Sequence, residues 1–204
     1  MRWCLTPSKV TTPCLSTLGL AGRRRKSVIP KQTPNWSKKK LEISAWLETH
    51  REEIHSGSLV VLFEDECHLL WGDVCGYVWG KTDERIEVPI TNQRSRQTYY
   101  GAVNLQTQQC LIQAAETGNS ENTIAFLNYL LAEYPDSRIA LIWDGATYHR
   151  SKQMKAYLES VNQGLDETNW KITCIRFAAN DPKQNPMEDI WLQAKRFIRE
   201  SYHL

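Results

Sequence analysis

Two short, unbroken apolar runs stand out along the chain: Leu59 to Phe63 (Leu-Val-Val-Leu-Phe) and Ile139 to Trp143 (Ile-Ala-Leu-Ile-Trp). Runs of this length without polar residues are the pattern of strands covered on both faces. Each stops at acid, the first at Glu64-Asp65-Glu66 and the second at Asp144-Gly145. Gln97–Leu105 and Cys110–Ala115 read as two further strands joined by a polar turn at Gln106–Gln109, and Lys171–Phe177 alternates as another. A hairpin-like region follows the first acids, with Gly72, Gly76, Gly80, Trp71, Tyr77 and Trp79.

Helical spacing accounts for the rest. Ser37 as N-cap predicts a helix to about His55, with Leu41, Ala45 and Trp46 on its apolar stripe. Ser120 caps a helix bearing Ile124, Leu127, Leu130, Leu131 and Tyr134, ended by Pro135, and Lys152–Val161 is a short helix. Asn185 suits an N-cap and Pro186 the first helical position, where no N–H is needed. Met187, Ile190, Trp191, Ala194, Phe197 and Ile198 then form one apolar face. The order of elements predicts an α/β domain, a mixed sheet with flanking helices. The helical crossover at 120–134 lets the two apolar strands run parallel. Asp65 and Asp144 then emerge at one carboxyl edge, where open α/β sheets place their sites.

Charge changes the picture at the N-terminal end. The net charge of +2 conceals ten Lys/Arg and no Asp/Glu in residues 1–41, against fifteen basic and twenty-three acidic residues in the remainder, a balance of −8. Residues 1–36, rich in Thr, Ser and Pro, read as a basic, poorly structured segment, and 37–204 as the folded domain. Basic arms of this kind contact nucleic acid or stay solvated. Arg23, Arg24, Arg25, Lys26, Lys38, Lys39 and Lys40 are the DNA-binding candidates, with Lys195 and Arg199 on the stripe of the last helix that also carries Glu188. The run Lys38–Lys40 opposes the dipole of its own helix. No apolar run is long enough to cross a membrane. The six cysteines are scattered with no Cys-x-x-Cys pair, which argues against a zinc ribbon or disulfide scaffold and fits a reducing cytoplasm.

Asp65, Asp144 and Glu188 lie 79 and 44 residues apart, two at strand ends and one at a helix start. Three carboxylates with no matching His or Cys make an oxygen-only site suited to Mg²⁺ or Mn²⁺. Two such ions stabilise the attacking and leaving oxygens in phosphoryl transfer. Glu188 has a second reading, as the third helical residue that closes a capping box on Asn185. Glu64 and Glu66 alternate away from Asp65 and read as supporting or solvated groups. His149 reads either as structural or as an orienting group, and Cys67-His68 lacks the second pair a zinc site needs. Trp71, Trp79 and Trp191 read as core. Arg94 and Arg96 read as phosphate ligands or as a solvated face.

Three stretches carry a family resemblance. Phe63-Glu64-Asp65-Glu66, Trp143-Asp144-Gly145-Ala146-Thr147-Tyr148-His149 and Pro182-Lys183-Gln184-Asn185-Pro186-Met187-Glu188-Asp189-Ile190-Trp191 resemble the three acidic motifs of the Tc/mariner transposase superfamily, in its bacterial insertion-sequence branch. Gly101-Ala102-Val103 matches its middle strand. Gly145 stands where the family's second motif has Asn, and the gap from Asp144 to Glu188 is longer than the family's, with Gly164–Trp170 as the extra loop. The resemblance covers about residues 55–200. It implies an RNase H-like DDE endonuclease fold. Asp65, Asp144 and Glu188 are then the catalytic and metal-binding residues, two Mg²⁺ or Mn²⁺ ions the cofactor, and Glu66 and His149 the supporting groups. It further implies DNA strand cleavage and strand transfer during transposition of an insertion sequence. The partners are then transposon ends and a target, usually at TA, the enzyme a homodimer on DNA, and the location the bacterial nucleoid. Upstream, only Leu15–Arg25 resembles the end of the family's helix-turn-helix region, so the expectation is an N-terminally truncated product. The alternative is a catalytically silent remnant that only binds DNA.

Overall fold

The computed structural model describes residues 34–70, 95–177 and 185–200. The chain divides into a unit of residues 1–32 and a unit of residues 33–204. The first unit, with Arg23–Lys26, and the hairpin-like region at 71–80 with Arg94 lie outside the described residues.

Five strands form one sheet. β1 (Leu59–Leu70), β2 (Arg96–Asn104), β3 (Cys110–Ala115), β4 (Arg138–Trp143) and β5 (Ile172–Arg176) lie in the order β3-β2-β1-β4-β5. β1 runs antiparallel to β2 and parallel to β4, and β4 runs parallel to β5. The mixed sheet predicted from the apolar runs is therefore present, with those two runs side by side in it.

Helices cover both faces. α3 (Ser120–Glu133) and α4 (Lys152–Val161) pack on the face carrying Val60, Leu62, Tyr100, Ala102, Leu141 and Trp143. α1 (Pro34–Thr49) and α5 (Pro186–Glu200) contribute Ile43, Met187 and Trp191 to the other, with Leu59, Val61, Phe63, Cys67 and Ile142. The β1 residues thus divide by parity, even positions toward α3 and α4 and odd positions toward α1 and α5, as the two-residue repeat of a strand requires.

Several elements depart from their predicted bounds. β1 does not stop at the three acids but continues to Leu70. Its pairing with β4 ends at Phe63–Ile142, whereas its pairing with β2 extends to Leu70–Arg96, so the antiparallel neighbour carries the strand onward. The helix predicted over Ser37–His55 begins at Pro34 and breaks after Thr49, with α2 (Arg51–Ser56) following. At the break, His50 has φ −100° and ψ 15°, and its ring stacks on Trp46 at 4.0 Å. The cap of α3 is Asn119, not Ser120: the Asn119 side chain accepts the Asn122 N–H, while Ser120 Oγ donates to Tyr148 O at 3.2 Å. Phe197 and Ile198, read as part of one apolar face with Met187 and Trp191, are exposed; the sheet takes only Met187 and Trp191 of α5 fully.

Candidate active site

Asp65 and Asp144 each lie two residues beyond the last β1–β4 pair, Phe63–Ile142, so a parallel register held to the end of the pairing brings both acids to one edge of the sheet. Asp65 has odd parity and projects on the α5 side. α5 reaches it because of Gly101, the β2 partner of Asp65. A Cβ on Gly101 would lie 2.4 Å from Met187 Cε and 2.5 Å from Trp191 Cζ2, so only glycine lets the first turns of α5 press onto the strands. Glu188 lies in that first turn.

The cap of α5 is built as predicted. Asn185 Oδ1 accepts the Met187 N–H at 3.1 Å. Its Nδ2 also donates to the Glu64 carbonyl at 2.8 Å, which ties the start of the helix to β1 beside the acids. Among the described residues no hydrogen bond joins the Glu188 carboxylate to the Asn185 N–H, so the capping-box reading of Glu188 is not realised. The carboxylate is exposed and its negative charge reaches Asp65.

The electrostatics differ from acid to acid. Burial, then the charges of Glu66, Glu188 and Asp144, push the Asp65 carboxyl up to about 7, against a smaller opposing effect of the Glu66 backbone N–H. Asp144 is held below the usual carboxylate range, first by His149 and then by the Ala146 N–H and the Arg176 guanidinium. Its Oδ1 accepts from Ala146 N at 2.7 Å. Burial and neighbouring Asp189 raise Glu188. Asp65 thus sits beside carboxylates that repel it, and the oxygen donors and negative charge around it are of the kind that a hard divalent cation relieves.

Behind this edge the acids continue. His149 is buried in the 3-10 turn Tyr148–Arg150, stacked on Trp143 at 4.0 Å. Its Nδ1 lies 3.3 Å from Asp144 Oδ1 and its Nε2 lies 3.3 Å from Glu66 Oε1. Neither contact has hydrogen-bond geometry, so the ring is held by charge and by stacking. Burial pulls its pKa down, but the two carboxylates outweigh it and bring it to about 9. Tyr148 donates its hydroxyl to Glu66 Oε1 at 2.7 Å. Glu66 and His149 are thus in contact with each other and, through His149, with Asp144. Glu64, expected to be supporting or solvated, is fully buried on the α3 side.

The cationic candidates are dispersed. Lys38 and Lys40 are exposed on α1, whereas Lys39 pairs with Glu42 at 3.1 Å and lines a cleft of about 370 Å³ with Trp46 and Arg176. The Lys195 ammonium sits beside the Cys67 thiol on β1. Arg199 is half-buried. Arg96 is exposed and donates to Thr117 Oγ1 at 3.3 Å. Arg176 is a functional candidate that the sequence does not single out. A Cβ on Gly145 would lie 2.6 Å from Arg176 Nη2, so this guanidinium fills the space beside Gly145, where the resemblance expects the side chain of an Asn. No local pattern signals it, because β5 meets β4 only through the sheet register.

The DDE superfamily endonuclease family matches residues 60–203, which span β1 to α5 and all three acids. The chain belongs to this family. Solved structures similar to this endonuclease chain include a Mos1 transposase paired-end complex with left transposon end, at 13% identity and a TM-score of 0.56, covering 90% of this chain and 55% of that one. A mariner Mos1 paired-end complex with Mg matches at 12% identity and a TM-score of 0.54 over 96% and 53% of the two chains. A Mos1 mariner paired-end complex with Mn gives 14% identity and a TM-score of 0.50 over 79% and 49%. The chain spans about half the length of these solved chains. No curated protein matches the sequence. The likeness establishes an RNase H-like fold for the endonuclease domain, as the motifs implied. No helix among the described residues is long and apolar enough to cross a membrane.

Proposed function

We propose that this chain is the catalytic part of a DNA transposase, with Asp65, Asp144 and Glu188 as its metal-binding acids. The observation that carries the reading is the meeting of two acid-terminated parallel strands with the first turn of α5, close enough for the charges of Glu188 and Asp144 to raise Asp65. Two Mg²⁺ or Mn²⁺ ions held there would activate water or a 3′-hydroxyl and stabilise the leaving oxygen. The protein's own contribution is orientation. The Asn185 bond to the Glu64 carbonyl fixes α5 against β1, and the Ala146 N–H and His149 hold Asp144 ionised and aimed. Lys38, Lys40 and the basic residues 23–26 offer charge for the DNA backbone. Transposon ends and a TA target as substrates, a homodimer on DNA and a site of action at the nucleoid belong to the same reading. It is supported by the family and by the likeness to Mos1 complexes with a transposon end, with Mg and with Mn.

The test is nicking of supercoiled and transposon-end DNA in the presence of Mg²⁺ or Mn²⁺. Wild-type protein should cut, and Asp65→Asn, Asp144→Asn and Glu188→Gln should each lose activity by about two orders of magnitude or more while remaining folded. DNA binding without metal-dependent nicking by the wild-type chain would leave the silent, DNA-binding reading in its place.

A further inference from the structure

The tightest group of candidate ligands in the described residues is not the edge triad but a buried set behind it. Glu64, Glu66 and His149 each present a donor atom within 4.8 Å of the others. Glu64 and Glu66 lie on the α3 side of the sheet, opposite in parity to Asp65. Glu64 is 1% exposed and both its carboxylate oxygens lack any hydrogen-bond partner. A buried carboxylate without a partner carries a large desolvation cost. Burial and the charges of Glu66, Asp65 and Asp144 accordingly hold the Glu64 pKa well above its ordinary value. Among the described residues no side chain hydrogen-bonds it, so either a proton or a cation relieves the cost. The nearby Tyr100 hydroxyl is committed to Asn119 O and Thr123 Oγ1, and the Asn185 side chain goes to the Glu64 carbonyl, not to its carboxylate. The nearest cation in this group, His149, is shared between Glu66 and Asp144.

We infer that Glu64, Glu66 and His149 Nε2 form a second, internal cation site, distinct from the three-acid edge, that takes a zinc-class divalent ion. One nitrogen with two carboxylates suits such an ion better than Mg²⁺, which prefers oxygen alone. Zinc bonds of about 2.0–2.2 Å put neighbouring ligand atoms of a tetrahedron roughly 3.4 Å apart. The 3.3 Å between His149 Nε2 and Glu66 Oε1 is already that edge. A metal-bound histidine donates its other N–H to a carboxylate; His149 Nδ1 lies 3.3 Å from Asp144 Oδ1, within reach of that partner but without hydrogen-bond geometry in this structure. Tyr148 Oη, bonded to Glu66 Oε1 at 2.7 Å, would orient the carboxylate ligand. The internal ion would therefore fix the ring that holds Asp144, and link the back of the sheet to its edge.

Co²⁺ titration of the full chain tests this, followed by proton NMR and by counting bound ions in equilibrium dialysis. His149 ligation should give one strongly shifted, exchangeable imidazole N–H resonance. It should persist in Asp65→Asn, which disables the edge, and vanish in Glu64→Gln with the loss of one bound ion per chain. Glu66→Gln provides the same comparison at a less buried position should Glu64→Gln fail to fold. Absence of the shifted resonance in the wild type overturns the proposal. So does its survival in the Glu64→Gln or Glu66→Gln variant, or a Glu64→Gln variant that is more stable with an unchanged ion count, the behaviour of a shared proton. The edge site is judged separately, by the nicking of Asp65→Asn and its own loss of an oxygen-ligated ion.

Discussion

At Glu188 two roles compete for one carboxylate, and among the described residues it makes no capping-box bond. Asn185 supplies the cap from its own side chain. Glu188→Gln should therefore shift stability by less than about 1 kcal/mol, the ordinary worth of a cap, while Mn²⁺ affinity measured by calorimetry falls. The same substitution removes one of the charges that raise Asp65, so the Asp65 carboxyl, followed by NMR titration without metal, should move down toward its ordinary value. An unchanged Mn²⁺ affinity would remove Glu188 from the site. Residue-scale charges also set a pH dependence for the metal-free protein. Asp65 has a folded pKa of about 7 against an ordinary 3.8. The folded state thus holds the proton more tightly, and stability declines as pH rises from about 4 through 7. His149, raised from 6.5 to about 9, adds stability that is present below about 6.5 and lost as pH rises through 9. Both act in one direction, so urea midpoints in EDTA should fall steadily across this range. Asp65→Asn should flatten the lower limb alone, and a midpoint that rises with pH there would contradict the burial and repulsion assigned to Asp65.

Between elements, the decisive contact is α5 on β2. Gly101→Ala sets a methyl group 2.4–2.5 Å from Met187 and Trp191. Overpacking of this kind costs about 1–3 kcal/mol, a fall in Tm of roughly 2–4 °C per kcal/mol for a chain of this size. Because α5 carries Glu188, Mn²⁺ affinity should fall with it. Gly145→Ala is the control: its clash is with the free end of Arg176, which can swing aside, so thermal melting should report a change of less than about 0.5 kcal/mol. Asn185→Ala removes the cap and the tie to the Glu64 carbonyl. It should cost about 1–2 kcal/mol and lower nicking more than a cap alone explains.

For the whole molecule, the asymmetry of charge predicts how it meets DNA. Replacing Arg23–Lys26 and Lys38–Lys40 by Gln should weaken binding to unrelated duplexes alike. The slope of log affinity against log salt should flatten by about 0.9 for each DNA phosphate that is no longer neutralised. Fluorescence anisotropy across a salt series reads it, and an unchanged slope would show that the basic run is only solvated.

The elements themselves are legible in the chain because they depend on short-range pattern. Two apolar runs become neighbouring parallel strands, Lys152–Val161 becomes α4 with those bounds, and Asn185-Pro186 opens α5. The acids are legible for the same reason, as polar stops at the ends of apolar elements. Pairing decides the rest. β1 outruns its apolar stretch because β2 continues beside it, and no property of Glu64-Asp65-Glu66 states that. Parity then sends Asp65 to one face and Glu64 and Glu66 to the other, where burial, invisible in a charged tripeptide, gives His149 its partners. Phe197 and Ile198 carry a helical apolar period, yet remain exposed because burial depends on what lies opposite, and the fully buried residues of α5 all lie in its first turns. Arg176 beside Gly145, and Gly101 beneath Trp191, are contacts across register. They exist only once strands and helix have been brought together.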